Sequence, residues 1–226
     1  MINANVFRIL TLIALVLMFF AQTATGQVNQ YARDGLSFSY PADWPLRDES
    51  DATAQTLSLD RGKDEATILI LAIRQEMNPP ELAEAQIEVT QAIVSALLQE
   101  FANAGAQPER SPITEIIAGV DAQGIRLRAT VKGQPGNADI YWLSLGGRSV
   151  HVVFIGSDQE RIRATYAWNM VISTLRVGRA PVSPGHSAAA DLRTTYTGKL
   201  LERVLKAHGS FCNYTGGALS LSALER

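Results

Sequence analysis

Alternating hydrophobic and polar positions, the period of a half-buried β-strand, recur in the first part of the chain. Residues 36–40 and 56–59 show this alternation clearly. Residues 66–73 are almost continuously apolar and β-branched, which predicts a central strand covered on both faces. Residues 28–31 are interpreted as a polar lead-in, and residues 46–55 as a polar, acidic loop. Three strands are therefore expected before the first helix.

The strongest helical pattern follows and spans about 25 residues. Asn78 suits the N-cap, Pro79 suits the first helical position, and Glu81 has the spacing of a capping box. Gly105 ends the segment. Its apolar residues recur at helical spacing: Leu82, Ala85, Val89, Ala92, Ile93, Ala96, Leu97 and Phe101. A helix with such an apolar side needs a sheet to pack on.

Four further strands are predicted, separated by short turns that contain glycine. The strands cover residues 113–118, 125–131, 138–145 and 149–155. The turns fall at residues 119–121, 133–136 and 146–147. Because strands joined by short turns pair antiparallel, this half of the chain is expected to form a meander.

Ser157 and Glu160 have capping-box spacing and predict a final helix. Its apolar residues are Ile162, Ala164, Trp168, Val171, Ile172 and Leu175. Helices that are segregated from runs of strands are typical of an α+β fold. We therefore expect a mostly antiparallel, twisted sheet of about six to seven strands, flanked by two helices.

The chain divides into three regions. Residues 1–26 are predicted to be a signal peptide, because Arg8 precedes a 13-residue apolar block and small residues follow it. An uncleaved membrane anchor is the alternative, although the block is shorter than the ~20 residues of a membrane span. Residues 27–178 form the expected α+β domain. Residues 179–226 are predicted to be a linker and C-terminal tail, with a helix over 188–208 that Gly198 weakens.

Composition and charge exclude several classes of protein. The 226 residues are 46% hydrophobic and 19% charged, which fits a folded domain rather than a disordered or collagen-like chain. A net charge of −2 argues against a nucleic-acid-binding protein. Cys212 is the single cysteine, so no intramolecular disulfide can form and the apolar core alone must hold the domain.

Residues 31–44 carry a recognisable motif. Tyr31 and Gly35 precede a short strand that ends in Tyr40-Pro41, and Trp44 follows. The motif resembles the PsbP-like family, exported α+β domains named for an extrinsic protein of the oxygen-evolving complex. DcrB-like lipoproteins share that fold.

The resemblance extends over residues 31–177 through the order of elements and the closing-helix segment 170–175. The resemblance implies a PsbP-like α+β fold. The metal-binding residues of the family have no matching positions here, and residues 179–226 have no counterpart. Independently of the family, large aromatic side chains mostly serve cores, so Trp44 is expected to be a core anchor.

No catalytic or metal-binding constellation is predicted. Ser157 lies between a strand and a helix, but the sequence lacks the G-x-S-x-G pattern, so a helix cap is expected. His151 is expected to pack against the sheet. His186 and His208 have no paired spacing that would indicate a metal site, and Cys212 is the only cysteine near them.

Three further groups of residues are weighed. Two acidic clusters are expected to be solvated turns: Asp60, Asp64 and Glu65, and Asp48, Glu49 and Asp51. A third group, Arg126, Arg128 and Lys132, is expected to be a solvated strand face, with a small anion or partner surface as the alternative. Residues 213–215 fit a glycosylation acceptor only in a eukaryotic secretory path.

These patterns predict a secreted or periplasmic protein that is not an enzyme and needs no cofactor. The leading hypothesis is a binding or scaffolding domain with a protein partner in an envelope assembly. The membrane would be involved only through an uncleaved signal segment. The alternative is a carrier of a small ligand or metal in the envelope, using a cleft between the sheet and the long helix. An envelope hydrolase ranks third.

Overall fold

A computed structural model describes residues 27–62 and 65–178. Five strands precede the long helix: β1 (Val28–Arg33), β2 (Leu36–Pro41), β3 (Leu46–Asp48), β4 (Ala54–Arg61) and β5 (Ala66–Ile73). Helix α1 (Pro79–Asn103) leads into β6 (Glu109–Ile117), β7 (Val120–Val131), β8 (Gln134–Leu145) and β9 (Arg148–Ser157). Helices α2 (Asp158–Arg163) and α3 (Thr165–Thr174) and the short strand β10 (Arg176–Val177) follow. The signal peptide, the tail and Asp64 lie outside the described residues.

The strands form two sheets. The larger has seven strands in the order β3-β4-β5-β9-β8-β7-β6, and all of its pairs are antiparallel. The smaller is β1-β2-β10. The α+β prediction of a mostly antiparallel sheet of six to seven strands is confirmed. Of the helices in the described residues, none is both long and apolar enough to cross a membrane.

The larger sheet separates two hydrophobic cores. On one face, Leu69, Leu71 and Ile73 of β5 pack with the apolar side of α1. On the other face, the alternate residues of β5 pack with α3 and the smaller sheet. Every residue of β5 is buried, as its continuous apolar sequence predicted. The result is three layers, with the seven-stranded sheet in the middle.

Helix α1 begins as its sequence predicts. The Asn78 side chain accepts a hydrogen bond from the Glu81 backbone N–H, and the Glu81 side chain accepts one from the Asn78 backbone. This reciprocal capping box satisfies donors that the first turn of a helix leaves open. Pro79 occupies the first turn, where the missing N–H has no cost.

The predicted final helix is divided in two at Ala164. Thr165 Oγ1 donates to the Arg161 carbonyl at 3.0 Å, a bond that bends helices. Ile162, one of the apolar residues of the predicted helix, does not face the core, since it is 76% exposed. Arg161 takes the inward position instead, because its guanidinium stacks on Phe154 and Trp168.

Two predictions about strands and two about turns also need correction. The polar lead-in is strand β1, whose single buried residue is Tyr31, and the acidic loop contains the short strand β3. The turn expected over 133–136 is a two-residue turn at Lys132-Gly133, and the turn expected over 119–121 lies at Ala118-Gly119. Both residues of each turn have positive φ, as in the type I′ turns that match strand twist.

A buried arginine joins the two sheets. Arg148, at the start of β9, is fully buried, and its Nε donates to the Ile73 carbonyl at 2.6 Å. One Nη donates to Gln55 Oε1 at 2.6 Å, and the other lies 3.3 Å from the Asp34 carbonyl. Beside it, the Gly178 N–H donates to the Gly35 carbonyl at 2.7 Å. The last described residue is thereby fixed to the β1–β2 turn.

Candidate functional site

Ser157 and His151 do not form a catalytic pair. Ser157 Oγ accepts the Glu160 N–H at 3.2 Å and so caps α2, as predicted. The two residues are six positions apart on β9, a distance of about 20 Å along an extended strand. A nucleophile and its base need to lie within about 3 Å. The geometry therefore gives Ser157 no activating base at His151.

His151 is part of a polar group beneath α1. It is fully buried, as is Ser149 two residues earlier on the same face of β9. The imidazole Nε2 lies 3.1 Å from Thr90 Oγ1 of α1. Among the described residues, Nδ1 of His151 and Oγ of Ser149 have no hydrogen-bond partner. Burial lowers the pKa of His151 to about 4, and a hydrogen bond with the Gln86 backbone opposes this shift. His151 is therefore neutral near pH 7.

The acidic clusters are engaged in local contacts. Asp60 accepts hydrogen bonds from Arg47 at 2.9 Å and from Thr67 at 2.9 Å. The Asp51 carboxylate accepts hydrogen bonds from the backbone N–H groups of Thr53 and Ala54 and so closes a turn. Asp48 accepts from Tyr31, Arg33 and Ser50. Within residues 27–62 and 65–178, no three His, Cys, Asp or Glu side chains are placed to hold a metal ion.

Arg126 and Arg128 lie on the face of the sheet that α2 partly covers. Arg126 binds the fully buried Asp139 with two parallel hydrogen bonds of 2.6 and 2.8 Å. The same carboxylate lies 3.7 Å from Nη2 of Arg161. Burying a carboxylate is costly unless it is paired, and the bidentate geometry with Arg126 offsets that cost. Arg126 is thus more than a solvated strand residue.

An aromatic group surrounds the Arg161 guanidinium. Its central carbon lies 4.5 Å from the centre of the Phe154 ring and 4.6 Å from Trp168. Such contacts stabilise a cation by about 0.5–2 kcal/mol, more when it is desolvated. Tyr141 packs beside Trp168, and burial, with Asp139 second, raises the pKa of Tyr141 to about 12. Tyr141 keeps its proton at neutral pH, so the group is suited to fixing α2 in place and not to acid–base chemistry.

Two more ion-pair groups surround α2. Arg128 binds Asp158 at 2.6 Å, and Asn137 donates to the same carboxylate at 2.9 Å. Glu160 accepts hydrogen bonds from Arg61 and from Arg163. Taken together, five arginines around α2 pair with four carboxylates. The carboxylates are Glu65, Asp139, Asp158 and Glu160.

Two large apolar side chains protrude from this arginine-rich region. Ile162 of α2 is 76% exposed and Tyr166 of α3 is 60% exposed. They are four positions apart, and Ala164 between them keeps right-handed helical backbone angles, so both lie on the outer side. Sequence reasoning missed this pair because it grouped Ile162 with the apolar residues of the helix without comparing their angular positions. The signal that could have found it is the helical period itself, since at about 100° per residue Ile162 lies close to Tyr166 and roughly opposite Val171.

Comparison with known proteins gives similarities of fold. No protein-family profile matches the sequence, and no curated protein matches it. Among solved structures, the chain is similar to cyanobacterial PsbP (CyanoP) from Synechocystis sp. PCC 6803. That match has 14% identity and a TM-score of 0.42, and it covers 70% of this chain and 96% of that one. A PsbP is thus among its structural neighbours, as the motif at residues 31–44 predicted.

Two other neighbours have similar scores. A protein from Bacteroides thetaiotaomicron VPI-5482 is 15% identical, with a TM-score of 0.42, over 69% of this chain and 53% of that one. LpqN of Mycobacterium tuberculosis, described as involved in cell envelope biogenesis, is 15% identical, with a TM-score of 0.38. The match covers 91% of LpqN and 69% of this chain. Similarities at this level carry no conclusion about function.

Proposed function

We propose that this protein is an exported binding or scaffolding domain that is not an enzyme and acts on a protein partner in the cell envelope. The observation that carries the proposal is the exposed pair Ile162 and Tyr166, set among partly exposed arginines. Tyrosine and arginine are enriched at protein interfaces, and adjacent exposed apolar groups on a soluble domain mark interaction sites. The signal-peptide pattern of residues 1–26 supports export.

The arrangement of the polar side chains also favours binding over catalysis. Three polar side chains are held in structural contacts: buried Asp139 by Arg126, buried Arg148 by backbone carbonyls, and half-buried Ser157 as a helix cap. Catalytic groups must instead converge on a site that a substrate can reach. A hydrolase would need a nucleophile with a base beside it.

The test is site-specific photocrosslinking in the host cell. A benzoylphenylalanine placed at several exposed positions reports any protein that docks on the domain. We expect crosslinked adducts in the extracytoplasmic fraction. If no surface position gives an adduct, or if the purified protein hydrolyses model esters or peptides and Ser157→Ala abolishes that activity, the proposal is wrong.

A second candidate is a carrier of a small ligand, and the polar group beneath α1 favours it. Ser149 Oγ and His151 Nδ1 are buried polar atoms without a partner among the described residues, and a ligand or water could satisfy them. Trp142, directly opposite His151 on β8, is partly exposed. Thermal shifts against panels of metal ions and lipids test this candidate. A shift that Ser149→Ala removes supports it, and no shift with any compound counts against it.

A further inference from the structure

The larger sheet is only partly covered on the side of α1. One row of side chains crosses the strands on that side, from Pro112 on β6 through Ile125 on β7 and Ile140 on β8 to Val153 on β9. Val153 and Ile140 are buried beneath α1, Ile125 is half-buried and Pro112 is exposed. The cover that α1 provides therefore ends at β7, and β6 and β7 present an open face beside the helix.

The helix borders this open face with an apolar side. Strands β5 and β6 run in the same direction, so β5, α1 and β6 form a crossover connection, for which the right-handed form is the rule. With that hand, Val94 and Ile87 lie on the β7 side of α1, about 100–120° round the helix from Ile93. Ile93 is fully buried, Val94 is 7% exposed and Ile87 is 58% exposed. The apolar side of α1 thus continues out of the core along the open face.

The helix and the open strands form an apolar groove. Ile87 is its wall, the half-buried Ile125 and Trp142 are its floor, and Ile116 on β6, which is 63% exposed, lies at its far rim. We call these four residues the α1–β7 groove. A single exposed isoleucine is common on a soluble protein, but two of them beside a half-buried tryptophan form a patch that favours an occupant.

The chain leaves the described domain at one end of this groove. A Cβ on Gly146, in the β8–β9 turn, would come within 2.6 Å of the Val177 carbonyl oxygen, so the end of β10 lies against that turn. The neighbouring Gly147 carbonyl accepts the Met77 N–H at 2.9 Å, just before α1 begins. The tail that follows Gly178 therefore starts close to the first turn of α1.

Segment 188–208 has the length and the apolar residues to occupy the groove. The linker 179–187 spans up to about 30 Å when extended, which is enough to bring the segment alongside α1. The helix predicted over 188–208 is about 31 Å long, against about 37 Å for α1. A helix of that length is marginal in water alone and is stabilised by a surface that buries its apolar side. Its apolar residues are Leu192, Tyr196, Leu200, Leu201, Val204 and Leu205.

The charges of the segment and of the groove are complementary. Residues 75–103 and the α1-facing positions of β6, β7 and β8, with the turns between these strands, carry six carboxylates against two basic side chains. The carboxylates are Glu76, Glu81, Glu84, Glu88, Glu100 and Asp121, and the basic residues are Arg110 and Lys132. Segment 188–208 carries four basic residues, Arg193, Lys199, Arg203 and Lys206, against Asp191 and Glu202. A segment of net positive charge is therefore attracted to a surface of net negative charge.

We infer that segment 188–208 of this chain docks in the α1–β7 groove. Its apolar side packs on Ile87, Ile116 and Trp142, and its basic side chains face the carboxylates of α1. The inference goes beyond the proposed function, whose exposed pair lies on the opposite face of the larger sheet. The docked segment contacts only the surface of the domain, so its loss changes the melting temperature by a few degrees at most. While it is docked, it closes the groove to other molecules.

The experiment places two spin labels on the purified full chain and measures their distance by double electron–electron resonance. Cys212→Ser removes the single native cysteine, and Thr195→Cys carries the label of the tail. The second label is attached at Thr114→Cys, an exposed position on the α1-facing side of β6. The matched control is Ser111→Cys, which is exposed on the opposite face of the same strand. We expect a narrow distance distribution for the 114–195 pair and a longer distance for the 111–195 pair.

Two double variants release the segment if the inference is right. Ile87→Ser with Ile116→Ser removes the apolar contacts, and Lys199→Glu with Lys206→Glu reverses the charge, so each should broaden the 114–195 distribution. Val28→Ser is the control, since Val28 is 49% exposed but lies on β1 of the smaller sheet, and it should leave the distribution narrow. Melting temperatures within a few degrees of one another would show that all variants fold.

Three results would overturn the inference. They are a broad 114–195 distribution in the chain that carries only the labelling substitutions, a shorter distance for the 111–195 pair than for the 114–195 pair, and a narrow distribution that persists in either double variant. Such a failure leaves the proposed function standing, because photocrosslinking of a partner does not depend on where the tail lies.

Discussion

Acid is expected to destabilise this protein through His151. The imidazole is fully buried beneath α1, and burial lowers its pKa from 6.5 to about 4 in the folded protein. In the unfolded chain the same group titrates near 6.5. Below pH 6.5 the unfolded state therefore binds a proton that the folded state refuses, and the free energy of unfolding falls as the pH falls.

The magnitude follows from the two pKa values. One pKa unit corresponds to about 1.4 kcal/mol. The loss of stability attributable to His151 should be about 2 kcal/mol at pH 5 and about 3 kcal/mol at pH 4, and it levels off below that. Above about pH 7.5 the group contributes almost no pH dependence. Such a loss is a large part of the 5–15 kcal/mol that typically stabilises a domain.

The assay is urea unfolding followed by tryptophan fluorescence between pH 4 and 7.5, for the native protein and for His151→Gln. Carboxylates titrate in the same range, so the informative quantity is the difference between the two pH profiles. The double variant His186→Gln, His208→Gln is the control, since it removes the other histidines of the chain. Its profile should match that of the native protein. Parallel profiles for native protein and His151→Gln would refute the reasoning, because His151 would then be solvated or paired.

Three further predictions concern the core, the signal and the tail. Trp44→Ala should cost about 3–5 kcal/mol in urea unfolding, because Trp44 is 3% exposed and packs in the core beneath α3; a cost below about 0.5 kcal/mol would mean a surface site. Replacing Leu15 and Leu17 by Arg should block export, since each charge opposes membrane insertion by roughly 2.5–3.5 kcal/mol; normal levels outside the cytoplasm would refute the signal peptide. Deleting residues 179–226 should leave the melting temperature nearly unchanged, because β10 and the contacts of Gly178 are retained; a fall of many degrees would make the tail a core element.

The sequence predicts the parts of this fold that depend on local patterning. The capping box of Asn78 and Glu81, the buried strand β5 and the antiparallel meander from β6 to β9 all follow from periodicity and short turns. Strands β1 and β3 cannot be predicted from local patterning. Their side chains are mostly exposed, and pairing with β2 and β4 is what makes them strands.

The candidate site was harder to predict, because it depends on contacts between distant residues. Asp139 can be buried only because Arg126 and Arg161 meet it from different elements. Arg161 lies on the inner side of α2, and Ile162 and Tyr166 lie on the outer side. Helical periodicity gives these sides, but it contains no information about the buried carboxylate that Arg161 meets there.

The smaller sheet determines how the domain bears tension. Strands β1 and β10 both run antiparallel to β2, so they point in the same direction on either side of it. The chain enters at the Pro41 end of β2 and leaves at the Leu36 end, about 17 Å away along the strand. A pull between the signal end and the tail end therefore shears these strands along their length, and their hydrogen bonds share the load. Peeling, in which bonds break one after another, would require the two ends to leave from the same side.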